Sequence, residues 1–455
     1  MVSTMPYLLG LNWTSSLELG IRLMNWSNIW QLIDDKLETD IKTQWLNSIY
    51  QHCHFINGHW SRYSSANNHL IGEAAGLFIA SITWLYWKES IAWRDKVQSI
   101  LIEQALKQNY DDGVNKEQAI SYQQFVLDFL LFSGLAAQAN KQDFPKEYWN
   151  KIEKMMGFLA SVMDVNGNIP MLGDADDGYD SNLSQESDFC PFKSLLASGA
   201  VLFSRADFKF KSGKFDDKSK WLLGTQAEKN YHSLPVKKSN LPINTSFPNG
   251  GYYILGSDFE TEQEIKMLAD AGPLGYLSIA AHGHADALSV TLSVGGKEFL
   301  IDPGTYAYHS QKNWRNYFRG TSAHNTVRID GLDPSIPGGN FMWIKQAIAE
   351  CTTWNDNKNN AIFIGKHDGY SRLNDPVTHN RKIAFEKQQN SFLISDTLLC
   401  KQSHLTERLW HFSEHCTVSI EKNGSTITVN NHQQITVKSM QKVIITLYQT
   451  DKESF

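Results

Sequence analysis

The sequence has no large excess of charge of either sign. Its 42 lysines and arginines nearly balance 48 aspartates and glutamates, and the formal net charge is -6. Nucleic-acid-binding domains usually carry a basic patch or stripe, so this composition does not favour a nucleic-acid partner. A polyanionic ligand would have to be held by a local cluster of basic residues.

Cysteine is scarce and follows no pattern. The five cysteines are Cys53, Cys190, Cys351, Cys400 and Cys416. They form no CxxC pair and no zinc-finger spacing. We therefore expect them to be mostly buried thiols.

The sequence also lacks long apolar runs. Its opening, "MVSTMPYLLGLNWTSSLELG", has no basic region followed by a long apolar stretch and a small-residue cleavage site. No window approaches ~18 consecutive apolar residues, the length of a membrane-spanning helix. We predict no transmembrane segment and no signal peptide at this N-terminus, so that either the protein is not exported by that route or the chain is a trimmed form.

Aromatic residues, by contrast, are abundant, with 14 Trp, 17 Tyr and 23 Phe. Most should pack in cores, because aromatic side chains bury large areas. Aromatic platforms also line sugar-binding grooves, so the composition is compatible with a carbohydrate ligand.

The 455 residues predict two or three domains, and the hydrophobic period changes once along the chain. Residues 1–205 carry apolar side chains at helical spacing, as in "GEAAGLFIASITWLYWKE". Residues 206–245 are charged and without clear period, which predicts a linker. Residues 246–455 consist of short alternating runs such as "ALSVTLSV" and "KVIITLYQ", which predict strands. Helices followed by strands indicate two segregated domains, an all-α domain and an antiparallel β-sandwich.

The stretch "HGHADALSVTLSV" places two histidines and an aspartate before an alternating strand. If the extended conformation continues upstream, His282, His284 and Asp286 lie on one face. Downstream, Asp302 follows the next predicted strand and His324 precedes a further one. Imidazole nitrogens with one carboxylate are a ligand set that zinc accepts readily.

The helical half offers further polar candidates. Asn68 and His69 stand at the start of an apolar helix, where an asparagine also serves as a helix cap. Tyr122 shares a helical stripe with apolar residues, so by itself it fits core packing. The acidic loop "IPMLGDADDGYD" lacks the spacing of an EF-hand, and we interpret Asp174 and its neighbours as an interdomain or cleft-edge loop.

Taken together, these segments resemble the heparinase II/III-like polysaccharide lyases, which include heparinase III and a group of alginate lyases. The resemblance rests on "NNHLIGEAAGL", "EQAISYQQFVLDFLL", "PMLGDADDG", "AHGHADALSVTLSVGGKEFLIDPGTYAYH" and "RGTSAHNTVRIDG", in that order. It implies an incomplete α/α toroid followed by an antiparallel β-sandwich, and β-elimination on a polysaccharide that contains uronic acid. It also implies an exported protein, which the N-terminus does not support, so location stays open.

The resemblance assigns roles by position. Asn68 and His282 would face the substrate carboxylate, Tyr122 would be the acid and possibly the base, and His69 is the competing base. His284, Asp302 and His324 match the metal ligands of the family, which implies a mainly structural zinc ion. Asp286 is left as a partner that could orient one ring.

Basic and aromatic residues near this loop are candidates for contacting an acidic substrate. They are Arg315, Arg319, Tyr306, Tyr308 and Tyr317. Arginine suits bidentate recognition of carboxylate or sulfate. The chain departs from the family next to Tyr122. Gln123 stands where many members have a histidine, which could alter substrate contacts around the acid.

Two alternatives to a lyase remain. A non-catalytic glycan-binding or glycan-assembly protein could keep the fold and the zinc site without turnover. A glycoside hydrolase would need two carboxylates facing a cleft, for which Asp174 and Asp176 are the candidates. The sequence does not identify the polysaccharide or the oligomeric state.

Overall fold

The computed structural model describes residues 6–175, 178–235, 243–421, 426–431 and 433–439. Its first part is helical, as predicted. The helices are α1 (Ser16–Ile33), α2 (Thr39–Gly58), α3 (Asn68–Thr83), α4 (Ser90–Lys107), α5 (Ile120–Ala139), α6 (Lys146–Val162), α7 (Pro191–Leu202), α8 (Ala206–Ser212) and α9 (Asp217–Ser233). Their arrangement as an incomplete toroid stays a prediction.

Local sequence explains how several of these helices begin and meet. The Asn67 side chain caps α3 by accepting the N–H of His69 at 3.2 Å. Helices α1 and α3 cross at glycines, and a Cβ on Gly76 would lie 2.3 Å from the Gly20 Cα. The absence of side chains at this crossing lets the two backbones touch.

The predicted linker over 206–245 is wrong for most of its length, because it contains α8 and α9, which pack against α7. Part of the charge that suggested a linker belongs to two buried lysines. Lys211 donates to the carbonyl of Met163 at 2.8 Å, and the Lys218 ammonium lies 2.7 Å from the Asp128 carboxylate. The helical region therefore extends through α9.

Antiparallel strands follow from Ser246, as predicted. A five-stranded sheet contains, in chain order, β1 (Ser246–Phe247), β2 (Tyr252–Ser257), β3 (Ile265–Asp270), β4 (Val290–Val294) and β5 (Lys297–Leu300). A long connection carrying α10 (Lys312–Phe318) leads to β6 (Val327–Ile329), β7 (Ile336–Gly339) and β8 (Met342–Lys345).

A second sheet has the order β12-β11-β10-β9. Its strands are β9 (Ala349–Asp356), β10 (Asn360–Tyr370), β11 (Val377–Glu386) and β12 (Ser391–Leu399). The remaining described strands are β13 (Thr406–Arg408), which pairs with β6, and β14 (Thr417–Ile420), β15 (Thr426–Asn431) and β16 (Gln433–Lys438), which form a small sheet. The further strand predicted at "KVIITLYQ" lies outside the described residues.

The two large sheets face each other across one apolar core. Met267 and Leu292 from the five-stranded sheet share this core with Phe363 and Phe385 of the four-stranded sheet. The other face of the five-stranded sheet packs on the helices, because Tyr252 belongs to the helical core. Because the five-stranded sheet packs on the helices with one face and on the second sheet with the other, the loops between β3 and β6 lie beside the helical region.

Helix α5 is the one described helix that is long and apolar enough to cross a membrane. Of its most apolar window, 78% is buried inside the protein. Because core helices pass the same test of length and composition, α5 is weak evidence for a membrane span.

Candidate functional site

Three side chains from separate elements meet where the helices contact the five-stranded sheet. Tyr122, in the first turn of α5, stacks on the His282 ring with 3.7 Å between centroids and 18° between planes. Asn68 opens α3 and donates its side-chain N–H to Glu117 Oε2 at 2.8 Å, and His282 Nε2 lies 3.7 Å from that same oxygen. The structure thus brings together the three residues predicted to be catalytic from different elements.

Glu117 is a site residue that the sequence analysis missed. Its carboxylate accepts both the backbone N–H of Asn68, at 3.1 Å, and the Asn68 amide. Burial raises the pKa of Glu117, while His282 and the hydrogen bonds from Asn68 oppose that rise. Glu117 therefore fixes which way the Asn68 amide faces, since a carboxylate can only accept.

The extended conformation does not continue upstream of β4, which begins at Val290, so the condition under which His282, His284 and Asp286 would share one face is not met. Leu288 has a positive φ of 63°. A turn closes there, with the N–H of Ser289 donating to the Asp286 carbonyl at 2.7 Å. The two histidines instead occupy an irregular loop and are oriented by a distant residue.

That residue is Asp174, which is fully buried. Its Oδ2 lies 3.2 Å from His282 Nδ1, and its Oδ1 lies 3.0 Å from His284 Nε2. Arg315 donates to both oxygens, with Nη2 2.7 Å from Oδ2, and the Thr305 hydroxyl adds a bond of 3.1 Å. Asp174 thus orients both rings, the role that we had considered for Asp286.

The charge state of Asp174 follows from its partners. Burial by itself would raise its pKa, but the hydrogen bonds from His282, His284 and Arg315 hold that pKa well below the usual range. The carboxylate is therefore ionised and accepts from His282 Nδ1–H and His284 Nε2–H. This tautomer leaves the Nδ1 lone pair of His284 free to bind a metal.

His284, Asp302 and His324 form a buried group whose ligand atoms lie within 4.8 Å of one another. Within the described part of the chain, His284 Nδ1 and His324 Nε2 have no hydrogen-bond partner, and His324 Nδ1 lies 3.4 Å from Asp302 Oδ2. Buried ring nitrogens normally find one. A tetrahedral zinc ion would satisfy such nitrogens and the carboxylate together, so the residues fit the predicted metal.

The two arginines predicted to contact the substrate are buried. Arg315 is 1% exposed and uses its guanidinium on Asp174 and on the Asn340 carbonyl. Arg319 is 2% exposed, donates to the Asn340 carbonyl at 3.0 Å and lies over the Trp343 ring. Because both guanidinium groups already donate to protein acceptors, these contacts argue against direct substrate contact, and both arginines instead brace the loops around the site.

The tyrosine candidates are distributed differently. The hydroxyl of Tyr308 lies 3.3 Å from the hydroxyl of Tyr122, so it joins the site directly. Tyr306 and Tyr317 are 41% and 40% exposed and pack around Trp314 of α10. Both tyrosines therefore contact the aromatic side chains of α10.

Other sequence candidates have clear positions. The half-buried His69 follows Asn68 in α3. Gln123 points away from the acid, since its amide donates to the carbonyls of Gly113 and Met155, each at 3.0 Å. Of the acidic loop, Asp174 is internal, and Asp176 and Asp177 lie outside the described residues.

Comparisons with known proteins match both the helical and the β-strand region of the chain. The family model "Heparinase II/III N-terminus" matches residues 9–192, and "Heparinase II/III-like, C-terminal" matches residues 241–452. A heparin-sulfate lyase of Pedobacter heparinus is 24% identical over 360 residues, covering 78% of this chain and 47% of the relative. A heparin-sulfate lyase of Bacteroides stercoris is 24% identical over 395 residues, covering 85% of this chain and 52% of the relative.

Solved structures show the same fold. A heparinase III crystal structure has a TM-score of 0.70 at 17% identity, covering 91% of this chain and 60% of that one. A heparan sulfate lyase mutant from Pedobacter heparinus has a TM-score of 0.67 at 20% identity, covering 94% and 61%. The chain spans about half the length of the curated relatives that it matches. With both family models matched in order, the chain belongs to the heparinase II/III family.

Proposed function

We propose that this protein is a polysaccharide lyase that cleaves a uronic-acid-containing polysaccharide by β-elimination. The observation that carries the proposal is the convergence of Asn68, Tyr122 and His282 from α3, α5 and the loop before β4. A protein that only bound glycans would have no need for all three in contact.

The reaction requires the removal of a weakly acidic C5 proton beside an ionised carboxylate. Donors placed on that carboxylate make the proton easier to remove. An amide carries two N–H groups, so Asn68 keeps one for the substrate after bonding to Glu117. Asn68 Oδ1 has no partner among the described residues and could accept from a sugar hydroxyl.

Tyr122 would protonate the leaving glycosidic oxygen. Its hydroxyl contacts that of Tyr308, which provides a route for restoring the proton. Tyr122 itself and His69 are the two candidates for the base. The stacked His282 ring holds the phenol beside the proposed carboxylate pocket.

A zinc ion held by His284, Asp302 and His324 would supply a fixed positive charge and a rigid coordination geometry. Asp174 contacts the metal-ligand candidate His284 and the substrate-facing candidate His282 at once. The predicted role of the metal is therefore structural, because ordering His284 also orders Asp174 and His282.

The substrate is proposed from the names of the relatives, which are heparin-sulfate lyases. The test is an ultraviolet assay for the unsaturated uronate on heparan sulfate, heparosan, hyaluronan, chondroitin and alginate. We expect cleavage of a uronate glycan, with heparan sulfate the first candidate. Tyr122→Phe should lower kcat by on the order of 10²- to 10⁴-fold, since general acid catalysis contributes about that much.

Tyr86→Phe is the matched control, because this tyrosine is 64% exposed, follows the end of α3 opposite to Asn68, and loses the same hydroxyl in the variant. Full activity of Tyr122→Phe would contradict the acid role. Binding without cleavage across the panel would instead support the glycan-binding alternative.

A further inference from the structure

A second group of metal-ligand side chains lies outside the lyase site, where loops after several strands meet. Asp375 stands between β10 and β11, Cys400 directly follows β12, and His404 precedes β13. One ligand atom from each lies within 4.8 Å of the others. In tetrahedral zinc coordination, neighbouring ligand atoms are roughly 3.3–3.8 Å apart, so small side-chain rotations would close the group around one ion.

The His404 ring is oriented for this purpose by a fourth residue. Its Nδ1 lies 2.6 Å from Oδ2 of Asp330, and its Nε2 lies 3.1 Å from Oδ2 of Asp375. When an ion binds, a proton kept on Nδ1 and donated to Asp330 would leave the Nε2 lone pair facing the ion, in place of the Nε2–H that lies against Asp375. A carboxylate on the distal nitrogen is the usual companion of a metal-binding histidine.

The Asp375 carboxylate is fixed in place before any ion binds. Its side chain is buried, and its Oδ2 accepts the backbone N–H groups of Lys401 at 2.9 Å and Gln402 at 2.8 Å. These donors directly follow Cys400 in the chain. The loop that carries the thiol is therefore tied to the carboxylate, and little reorganisation is needed to form the site.

The exposure of Cys400 also differs from the expectation that the cysteines are mostly buried. Cys53 is buried, Cys190, Cys351 and Cys416 are half-buried, and Cys400 is exposed. An exposed thiol beside an imidazole and a carboxylate is accessible to an ion from solution.

We propose that Asp375, Cys400 and His404 bind a second zinc ion, with Asp330 orienting the histidine and water in the fourth position. A thiolate and an imidazole select zinc over calcium or magnesium, which prefer oxygen ligands. Binding releases the thiol proton and the proton between His404 and Asp375. The ion would fasten the loop between β10 and β11 to the loop between β12 and β13.

The first test counts zinc in the full chain. Chelator-treated protein is reloaded with zinc alone, dialysed and analysed for metal. Cys400→Ser should lose one equivalent per chain relative to the unchanged protein, and His404→Gln should lose the same equivalent. Cys351→Ser, whose thiol donates to the Thr353 carbonyl elsewhere, should lose none.

The second test uses cobalt to identify the ligands. The proposed site contains sulfur, whereas the group of His284, Asp302 and His324 does not. Cobalt-loaded protein should therefore show a thiolate-to-cobalt charge-transfer band that disappears in Cys400→Ser and persists in His284→Ala. Unchanged zinc content in Cys400→Ser, or no charge-transfer band in the cobalt protein, would overturn the proposal.

Discussion

At the scale of single residues, the site depends on two buried carboxylates that hold the reacting groups. Glu117 holds Asn68, and Asp174 holds His282 and His284. Neither carboxylate is proposed to react. Their function is to remove the freedom that the amide and imidazole groups would otherwise have, which is where much of an active site's precision comes from.

Glu117→Gln should leave the fold intact and weaken catalysis. A glutamine has one acceptor oxygen for the two donors that Asn68 presents, so the Asn68 amide loses its fixed orientation. We expect kcat to fall by on the order of 10²-fold with a smaller change in KM, as for other misplaced catalytic groups. Steady-state kinetics measure this, with the exposed Glu103→Gln as control.

An unchanged kcat in Glu117→Gln would contradict a positioning role for Glu117. If only KM rises and kcat stays the same, Glu117 contributes to substrate binding and not to catalysis.

Asp174→Asn should disrupt both the metal site and the reacting end of the site. An amide cannot accept from all the donors that face this carboxylate, and it leaves the Arg315 charge buried without its partner. Removing one member of a buried ion pair typically costs about 3–5 kcal/mol. We expect a lower free energy of unfolding and weaker zinc retention, measured by denaturant titration and metal analysis.

Thr305→Val serves as the matched control for Asp174→Asn, since it removes one neutral hydrogen bond to the same carboxylate. Equal zinc retention in Asp174→Asn and the unchanged protein would show that Asp174 does not orient His284.

The sequence pointed to the residues that are proposed to react, but not to the residues that hold them. Asn68, Tyr122 and His282 stand inside recognisable motifs, whereas Asp174 contacts His282 across 108 positions of the chain. No local pattern reports such a contact. The same limit explains why Arg315 and Arg319 were predicted to contact the substrate. Local sequence does not show whether a guanidinium group faces solvent or an acceptor inside the protein.

At the scale of elements, the loops that carry the proposed metal ligands are tied together by two side chains that donate to backbone carbonyls. Asn325, next to His324, donates to the carbonyls of Val290 at 2.7 Å and Ile301 at 2.8 Å. Arg381 of β11 donates to the carbonyls of Leu288 and Asn325, each at 2.7 Å. The irregular loops can therefore be rigid without regular secondary structure.

Helix α3 contains a buried group that should make stability depend on pH. Burial raises the pKa of Glu73 to about 7, although Ser61 donates to both of its oxygens. The folded pKa lies above the unfolded value, so the stability linked to this proton is fully present below pH ~4.5 and is lost as pH rises through 7. The shift corresponds to about 3 kcal/mol.

Glu73→Gln should abolish much of this dependence, since glutamine stays neutral. We expect the variant to match the original protein near pH 5 and to have the higher Tm at pH 8, as followed by thermal unfolding. A pH dependence identical to that of the original protein would contradict the assignment.

At the scale of the whole molecule, the change of hydrophobic period predicted the order of helices and sheets but not the boundary between them. The charges of Lys211 and Lys218 contributed to the prediction of a linker, yet both side chains are buried, in α8 and α9. Burial of charge on paired partners depends on tertiary contacts, which periodicity does not report. The site itself requires both regions, because Tyr122 comes from α5 and His282 from the loop before β4.

The proposed elimination of a uronate glycan at this interface can be tested by digestion in heavy-oxygen water. Mass spectrometry then measures the mass and the isotope content of each fragment. Elimination adds no water, so the fragment masses should sum to that of the intact chain, without label, and one new end should be an unsaturated uronate. Fragments that gain one labelled water per cleavage would show hydrolysis and contradict the account.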